Sequence, residues 1–355
     1  MGYIVVLIFV IAALLAFYED FLGRYKLPIY LVLGTVLIIL AGSREVGVDA
    51  DSINYEATFL NHSSDDALET VEYSFILISK LVQLFSNDVH VLFFIYAFLG
   101  LTLKFFAFRK LSEFWFLPVV VYISYFYVLH ELTQIRTGVM AGLFLLAIKP
   151  ICEGKRLKAF LFIATGIFFH YSALVLLPLL FLSNKPMGNI KRTMWALIVP
   201  FGYMVYLYGF SALLDLSTEL PYIGHKLAAY KLSTDKGLVI STINAFNPLF
   251  LITNLLYLYL LYFHDTIIAH NKYFPFMIKV FACSIFSYLA LSGFPVMAER
   301  IHLLLLTVTI ILYSNICYTI KPKWAGITAS IFVAFAYINI AMPAIGLSLL
   351  WKKDT

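Results

Sequence analysis

Long apolar runs separated by short polar connections fill most of the chain. A helix needs about 20 apolar residues to cross a membrane. The apolar runs predict spans at residues 2–18, 28–42, 89–108, 114–130, 133–150, 157–182, 193–214, 246–263, 273–293, 300–319 and 324–350. This pattern predicts an all-α polytopic membrane protein, with roughly 10–12 transmembrane helices in one integral membrane domain over residues 1–355.

The segment 71–86 differs from the other apolar runs because its polar residues are spaced like one stripe of a helix. Glu72, Ser79, Lys80 and Gln83 form that stripe, and apolar residues fill the rest of the segment. An amphipathic pattern of this kind is typical of a helix that lies at the membrane interface. We therefore predict an interfacial helix at 71–86 and not a span.

The composition supports a membrane protein over a soluble one. Hydrophobic residues make up 62% of the chain and charged residues 13%, and the mean hydropathy is +0.90, whereas soluble domains carry about 25% charged residues. The net charge of +5 is spread over short connections, so it does not indicate a nucleic-acid partner. Cys152, Cys283 and Cys317 lie far apart in the sequence, which predicts neither a disulfide framework nor a metal site.

The charges of the connections predict their sides of the membrane. Basic residues cluster around positions 24–26, 104–110, 149–158, 185–192 and 321–323, and the positive-inside rule places such connections in the cytoplasm. The connection 43–70 holds seven acidic residues and one arginine, which favours the outer side. We therefore predict that 43–86, with its interfacial helix, and the long connection 215–245 face the periplasm.

One predicted span does not fit this alternation. Segment 157–182 has basic clusters at both ends, His170 near its centre and Pro178 beyond it. A single tilted helix is one interpretation. A broken helix that enters and leaves on the same side fits the flanking charges better, provided that protein or water surrounds the break.

Charged and polar groups that stand at or near membrane depth are the candidate chemistry. Such groups are costly in hydrocarbon and usually face a bundle interior or water. They occur in four stretches of the sequence: "REVGVDADSINY" (44–55), "HELTQIR" (130–136), "FFHYS" (168–172) and "AERIH" (298–302). A structural role is open for the first three: a solvated acidic loop, an arginine reaching out from a helix end, and a histidine satisfied within the core.

The arginines point to a particular class of ligand. Arg44, Arg136 and Arg300 would share the outer surface if 157–182 is a broken helix, and guanidinium groups pair bidentately with phosphate oxygens. A lipid diphosphate that carries a sugar chain fits such a surface. Soluble nucleotide donors fit less well, because the sequence has no glycine-rich phosphate loop.

At these positions the chain resembles the EpsG-like branch of the Wzy-type polysaccharide polymerases. The matching motifs are R-x-x-G-x-D…N-Y from Arg44 to Tyr55, Q-I-R-x-G-x-x-x-G-L-F-L-L-A from Gln134, F-F-H-Y-S-A-L-V-L-L-P-L from Phe168, and E-R at Glu299. They occur in that order over about residues 40–305. The acidic position of the first motif is ambiguous, since Asp49 has the Gly-x-Asp context and Asp51 the shorter spacing to the tyrosine.

The resemblance implies a multi-pass glycosyltransferase of the bacterial inner membrane with a GT-C-like helical fold. Such enzymes polymerise undecaprenyl-diphosphate-linked oligosaccharide units into O-antigen, capsule or exopolysaccharide on the periplasmic side. The expected partners are that lipid-linked oligosaccharide, the lipid bilayer and, as a candidate, a chain-length regulator protein. No cofactor and no metal are expected.

The chemistry then suggests roles for individual residues. The leaving diphosphate must be stabilised and the acceptor hydroxyl needs a general base. We assign the diphosphate to Arg44, Arg136 and Arg300. The base is Asp49, Asp51 or His170, with Glu131 and Glu299 in reserve. The remaining predicted substrate contacts are Tyr55, Glu131, Gln134 and Glu299.

Two other functions remain open at the level of sequence. A membrane O-acyltransferase acting on surface polysaccharide would also use a histidine and an arginine at membrane depth, but the chain has no early Arg-x-x-x-His pair. A transporter of lipid-linked oligosaccharide would be expected to show two similar halves. No such halves are evident in the sequence.

Overall fold

The computed structural model describes residues 2–49, 51–61, 71–209 and 243–344, and within these ranges the chain forms helices and no strands. The α-helices, in chain order, are α1 Gly2–Phe17, α2 Lys26–Gly42, α3 Ser52–Leu60, α4 Tyr73–Gln83, α5 Val89–Leu111, α6 Phe116–Ser124, α7 Ile135–Cys152, α8 Arg156–Phe169, α9 Asn189–Ala196, α10 Ile198–Met204, α11 Pro248–Tyr262, α12 His264–Ile268, α13 Phe274–Ala290, α14 Pro295–Leu306, α15 Thr309–Ser314 and α16 Lys323–Ala344. Short 3₁₀ and π segments connect several of them, among them a π-helix at Val128–Thr133 and a 3₁₀ helix at Tyr171–Phe181.

The chain divides into two compact units. The first comprises Met1–Asn184, Asp265–Phe276 and Thr307–Thr355, and the second comprises Lys185–His264 and Met277–Leu306. The predicted connection 215–245 lies outside the described residues except for its last three positions, as do residues 62–70 of the acidic connection.

Helix α5 is central to the first unit, because it packs against both α2 and α7. Glycines allow the close approach. A Cβ on Gly34 of α2 would lie 3.1 Å from the Phe105 ring, and one on Gly142 of α7 would lie 2.8 Å from the Leu103 Cβ. Small residues play this role in membrane helix pairs, where van der Waals packing drives association.

Helix α6 is enclosed on every side. All nine of its residues are buried, and it packs against α1, α15 and α16. An apolar helix without a polar face belongs in the interior of a bundle, so this part of the predicted span 114–130 lies among other helices and not at the lipid boundary.

Three helical stretches of the described chain are long and apolar enough to cross a membrane: Gly23–Gly42, Val89–Leu111 and Ile135–Cys152. A fourth is counted if Pro295–Leu306 and Thr309–Tyr318 form one broken crossing. Shorter apolar helices in the same part of the chain lie at Gly2–Phe17, Tyr73–Gln83, Tyr171–Phe181, Pro248–Tyr262 and Phe274–Ala290. The all-helical, multi-spanning architecture agrees with the prediction, whereas 10–12 spans and a GT-C-like arrangement stay predictions.

Segment 157–182 is broken at its histidine. Helix α8 ends at Phe169, His170 is extended (φ −157°, ψ 125°), and the 3₁₀ helix follows at once. The two parts pack against each other, since a Cβ on Gly166 would lie 3.4 Å from the Ala173 Cβ. Residues seven apart in a straight helix are about 10 Å apart along its axis, so the chain folds back at the break.

The second unit has its own aromatic core. Phe201 of α10 stacks on Phe286 of α13, with ring centroids 5.8 Å apart. The buried His302 of α14 shares a hydrogen bond with the Ser284 hydroxyl, 2.9 Å from its Nδ1. Helix α11 has an N-cap at Asn247, whose side chain accepts a hydrogen bond from the Phe250 amide over 2.8 Å.

Candidate functional site

The turn that follows α2 is held by a buried ion pair. The Arg44 Nε donates to the Asp49 Oδ2 over 3.1 Å, its Nη1 donates to the Ala41 carbonyl over 2.8 Å, and its guanidinium lies 3.8 Å from the Phe93 ring centroid. The Arg44 side chain is fully buried, and its Nη2 has no hydrogen-bond partner among the described residues. Arg44 is therefore part of the interior and does not line a surface.

The second oxygen of Asp49 organises the start of α3. Oδ1 accepts hydrogen bonds from the backbone amides of Asp51 (3.0 Å) and Ser52 (2.9 Å). Gly47 has a positive φ of 93°, a conformation that glycine adopts without steric cost, and its amide donates to the Ser52 hydroxyl over 2.8 Å. Asp49 thus accepts hydrogen bonds from three donors, counting Arg44, while Asp51 is half-buried.

Helix α3 brings Tyr55 between the two arginines. The Tyr55 ring packs against Phe75 of α4 with centroids 5.8 Å apart, and its hydroxyl lies within electrostatic range of both Arg136 and Arg44. Burial raises the pKa of Tyr55 to about 12, although Arg136 lowers it. The phenol is therefore protonated at neutral pH and is available as a hydrogen-bond donor.

Glu72 lies between two predicted site residues, Arg136 and His170, which come from different parts of the sequence. It is the extended residue before α4. Its Oε2 accepts a hydrogen bond from the Arg136 Nη1, and its Oε1 lies 3.7 Å from the His170 Nε2. Side-chain exposure is 9% for Glu72, 23% for Arg136 and 15% for His170. We call this group the Glu72 cluster: a carboxylate between a guanidinium and an imidazole, partly open to its surroundings.

The two partners of Glu72 are fixed by different parts of the chain. Arg136 stands in the first turn of α7, with its guanidinium 5.6 Å from the ring centroids of both Tyr55 and Phe75. His170 occupies the break after α8, where its Nδ1 accepts a hydrogen bond from the Ser172 amide over 3.1 Å. That bond leaves Nε2 to carry the proton in the neutral ring, and Nε2 is the atom that faces Glu72.

A buried apolar cluster packs beside the Glu72 cluster. Phe75, Tyr96 and Phe169 pack in series, with ring centroids 6.2 Å and 6.3 Å apart. The same buried cluster includes residues of α3, α4, α5 and α7. Phe75 and Tyr96 are fully buried, and Phe169 is half-buried against them, so the cluster holds the neighbouring polar groups in defined positions.

The structure brings together most of the predicted site in the first unit. Six predicted residues lie around α3, the start of α4, the start of α7 and the break after α8. They are Arg44, Asp49, Asp51, Tyr55, Arg136 and His170. Gln134 is close to Arg136 in the sequence and is the single half-buried residue between the π-helix and α7. Glu299 and Arg300 belong to the second unit, where both are exposed on α14.

Glu131 has a different environment from the one predicted. It is 1% exposed and its Oε1 accepts hydrogen bonds from the Lys104 Nζ (2.5 Å) and the Tyr122 hydroxyl (2.7 Å). A carboxylate enclosed in this way has no surface for a sugar. Its geometry favours an internal structural role over the predicted contact with substrate.

Glu72 and Lys104 are two site-related residues that the sequence patterns do not single out. In the sequence, Glu72 is only one member of the polar stripe of the interfacial helix, although its position at the first turn is a usable signal. Lys104 belongs by its spacing to the basic cytoplasmic cluster, yet it is fully buried on α5. Lys104 lies within the predicted span 89–108, whereas the exposed Arg109 and Lys110 follow that span. This position is the sequence signal that Lys104 is buried.

Comparison with known proteins identifies the family. The family model described as the EpsG family matches residues 27–349, nearly the whole chain.

The chain belongs to the EpsG family.

This family is associated with polysaccharide polymerisation and with membranes, and the matched region includes both units and the Glu72 cluster. Comparisons with curated proteins and with solved structures gave no match. In the described part of this EpsG chain, no group of three or more histidine, cysteine, aspartate or glutamate residues has the arrangement of a metal site.

Proposed function

We propose that the protein joins lipid-diphosphate-linked oligosaccharide units into a polysaccharide, with the Glu72 cluster at the reaction centre. The observation that carries this proposal is the ion pair between Glu72 and Arg136 beside His170. It combines a carboxylate that can accept a proton with a guanidinium that can bind phosphate, in a partly exposed position.

Arg136 is the proposed ligand of the leaving diphosphate. Its Nη1 is bound to Glu72 and its guanidinium also has a hydrogen bond with Tyr55. The side chain stays 23% exposed, and this exposed part is the proposed contact with the anion. Arg44 is enclosed, and we assign it the role of holding the loop 44–52 in place. Arg300 is exposed in the second unit, and its contact with a diphosphate stays a prediction.

Glu72 is the proposed general base. In the transfer, the acceptor hydroxyl oxygen bonds to the anomeric carbon of the donor sugar, and the bond from that carbon to the diphosphate oxygen breaks. The leaving diphosphate keeps the electron pair, and the hydroxyl proton passes to the Glu72 carboxylate. His170, with Nε2 towards Glu72, orients that carboxylate. Asp51 is the alternative base, because it is half-buried near Tyr55.

The substrate lipid is expected to be undecaprenyl diphosphate and the reaction side the periplasm of the inner membrane. Two features support this assignment. The apolar residues Tyr73, Leu77 and Leu81 of α4 are exposed, which places apolar surface beside the Glu72 cluster. The connection that contains α3 is acidic, whereas those around 104–110 and 149–158 are basic.

The test is polymerisation by the purified protein in vesicles, supplied with undecaprenyl-diphosphate-linked oligosaccharide. We expect a ladder of longer lipid-linked chains and one free undecaprenyl diphosphate for each bond formed. In cells, deletion of the gene should remove long surface chains and leave single units. Unchanged chain length with lost acyl groups, or transfer of intact lipid-linked units across the vesicle without elongation, would contradict the proposal.

A further inference from the structure

A second charged group lies wholly inside the first unit. Lys104 of α5 is fully buried and its ammonium group has three acceptors: Glu131 Oε1 at 2.5 Å, the Gly138 carbonyl at 2.7 Å and the Gly100 carbonyl at 3.4 Å. Three donors on an ammonium group match three acceptors. Lys104 therefore has no hydrogen left for a substrate.

The same pair links four segments of the chain. Lys104 and Gly100 belong to α5, and Glu131 belongs to the π-helix. Tyr122 of α6 donates to the Glu131 Oε1 over 2.7 Å, and Gly138 belongs to the first turn of α7. The fit is close, since a Cβ on Gly100 would lie 2.6 Å from the Glu131 Oε2. We call these residues the Lys104 network.

The Lys104 network is a poor means of stabilising a fold. Burying an ion pair costs about as much solvation free energy as the attraction between its two charges returns. Well-packed neutral replacements of both partners are often equally stable. Charged groups within a span usually serve function. The role of the pair therefore lies in the backbone position that it fixes.

The backbone that Lys104 binds belongs to the turn that carries Arg136. The Gly138 carbonyl bound by Lys104 lies two residues after Arg136, in the same turn of helix. On the other side of that turn, a Cβ on Gly138 would lie 2.6 Å from the His130 carbonyl oxygen, so the π-helix packs directly against it. Only Gln134 separates the two segments. The start of α7 is thus fixed from α5 and from the π-helix together.

We propose that Lys104 and Glu131 are positioning residues for Arg136: their ion pair holds the first turn of α7 so that the guanidinium faces Glu72. The activity part of this inference rests on the proposed function, whereas the structural part does not. A π-helix beside the turn agrees with the frequent occurrence of such segments at functional sites.

The structural part is tested by hydrogen exchange on the full chain in lipid nanodiscs. The variant Lys104→Met/Glu131→Gln removes both charges at once, so no buried charge is left unpaired, and the amide oxygen that replaces the carboxylate can still accept the Tyr122 hydroxyl. We expect amides 138–142, which bond to the carbonyls of the first turn of α7, to exchange about tenfold faster or more. Lys110→Met, a change at an exposed lysine on the same helix, should leave them unchanged. Unchanged exchange at 138–142 in the double variant would overturn the proposal, whatever the activity.

The activity part is tested by coupling to Arg136. Arg136→Lys is measured alone and in the Lys104→Met/Glu131→Gln background. If both changes act on the same guanidinium, the loss from Arg136→Lys should be about tenfold smaller in that background. Additive losses would contradict positioning and indicate independent damage.

A milder variant covers the case in which the double variant does not fold. Tyr122→Phe removes one hydrogen bond to Glu131 and keeps the ion pair, and we expect the same change in exchange at a smaller size. No change at 138–142 in Tyr122→Phe, with a folded protein, would overturn the proposal in that case. If the wild type does not elongate lipid-linked chains, the proposed function fails, and the exchange result still decides whether the Lys104 network positions α7.

Discussion

At the scale of single residues, the candidate site separates groups that can meet a ligand from groups that hold the site together. Arg136 and His170 are partly exposed, and the nearly buried Glu72 lies between them with 9% of its side chain exposed. Arg44, Asp49, Lys104 and Glu131 are buried in ion pairs. The first set is expected to govern the rate, and the second set to govern stability or geometry.

Arg136→Lys should lower polymerisation about 100-fold or more while the protein level in the membrane stays the same. Lysine keeps the charge but loses the planar fork that binds phosphate oxygens in pairs. The measurement is the initial rate of chain elongation in vesicles. Arg156→Lys is the matched control, because Arg156 is exposed on α8, and it should retain normal activity. Near-normal elongation by Arg136→Lys would exclude a diphosphate contact through its fork.

Glu72→Gln should lower the rate by about two to four orders of magnitude, since the shape is kept and the basicity is removed. Elongation rates of Glu72→Gln and of Glu45→Gln, a change at an exposed carboxylate, are compared at equal protein amounts. If Glu72→Gln elongates normally while Asp51→Asn is inactive, the base is Asp51.

Asp49→Asn should destabilise the fold by about 3 kcal/mol or more, because it leaves the buried Arg44 charge unpaired. The measurement is thermal unfolding in detergent, followed by intrinsic fluorescence. Asp51→Asn serves as the control and should change stability by about 0.5 kcal/mol or less. A normal unfolding temperature together with lost activity in Asp49→Asn would support the sequence-based prediction that Asp49 is the base.

At the scale of elements, α4 exposes apolar residues on its outward side, as expected of a helix beside lipid. The polar residues Glu72, just before the helix, and Ser79 are buried, whereas the apolar residues Tyr73, Leu77 and Leu81 are exposed. The exposed Lys80 lies beside them, as expected of a long cationic side chain at the interface. The buried side of α4 holds Ser79 together with Phe75 and Val82, and its outward side is largely apolar.

A fluorophore attached at Leu77→Cys should be quenched by lipids that carry a nitroxide on the acyl chain, because the apolar face of α4 is expected to enter the interface. The native cysteines are replaced by alanine in this experiment. A label at Asn61→Cys, an exposed polar position at the end of α3, should be quenched much less. Equal quenching at the two positions would argue against an interfacial α4.

At the scale of the whole molecule, the broken helix determines which connections share a side of the membrane. Both ends of segment 157–182 are basic, and the chain folds back at His170. If this segment enters and leaves on one side, the connections before and after it are both cytoplasmic.

Cysteine labelling tests this arrangement in intact cells. Single cysteines are placed at Asn61, Lys155 and Ser183, which are all exposed. A membrane-impermeant maleimide added from outside should label Asn61→Cys alone, and the other two only after the cells are opened. Labelling of Ser183→Cys from outside, with Lys155→Cys protected, would mean that 157–182 crosses the membrane.

The sequence alone determined the class of the protein, several helices and most of the polar residues around the site. Hydropathy is a property of consecutive residues, so it predicts apolar helices such as α1, α5 and α7 without knowledge of their neighbours. The same local signals indicated the helix α4 and the break near His170. They also singled out Arg136 and His170, because charged and polar groups are conspicuous in apolar surroundings.

Only the tertiary structure decided which of these groups meet. Glu72 and Arg136 are 64 residues apart in the sequence, and their pairing follows from how α3, α4, α5 and α7 pack. Lys104 resembles a cytoplasmic cation in sequence, and the packing of α5 against α7 places it inside, beside Glu131. Burial and partnership depend on contacts between distant segments. For that reason the sequence predicted the residue types of the site, and the fold decided which of them are enclosed in ion pairs and which stay partly exposed.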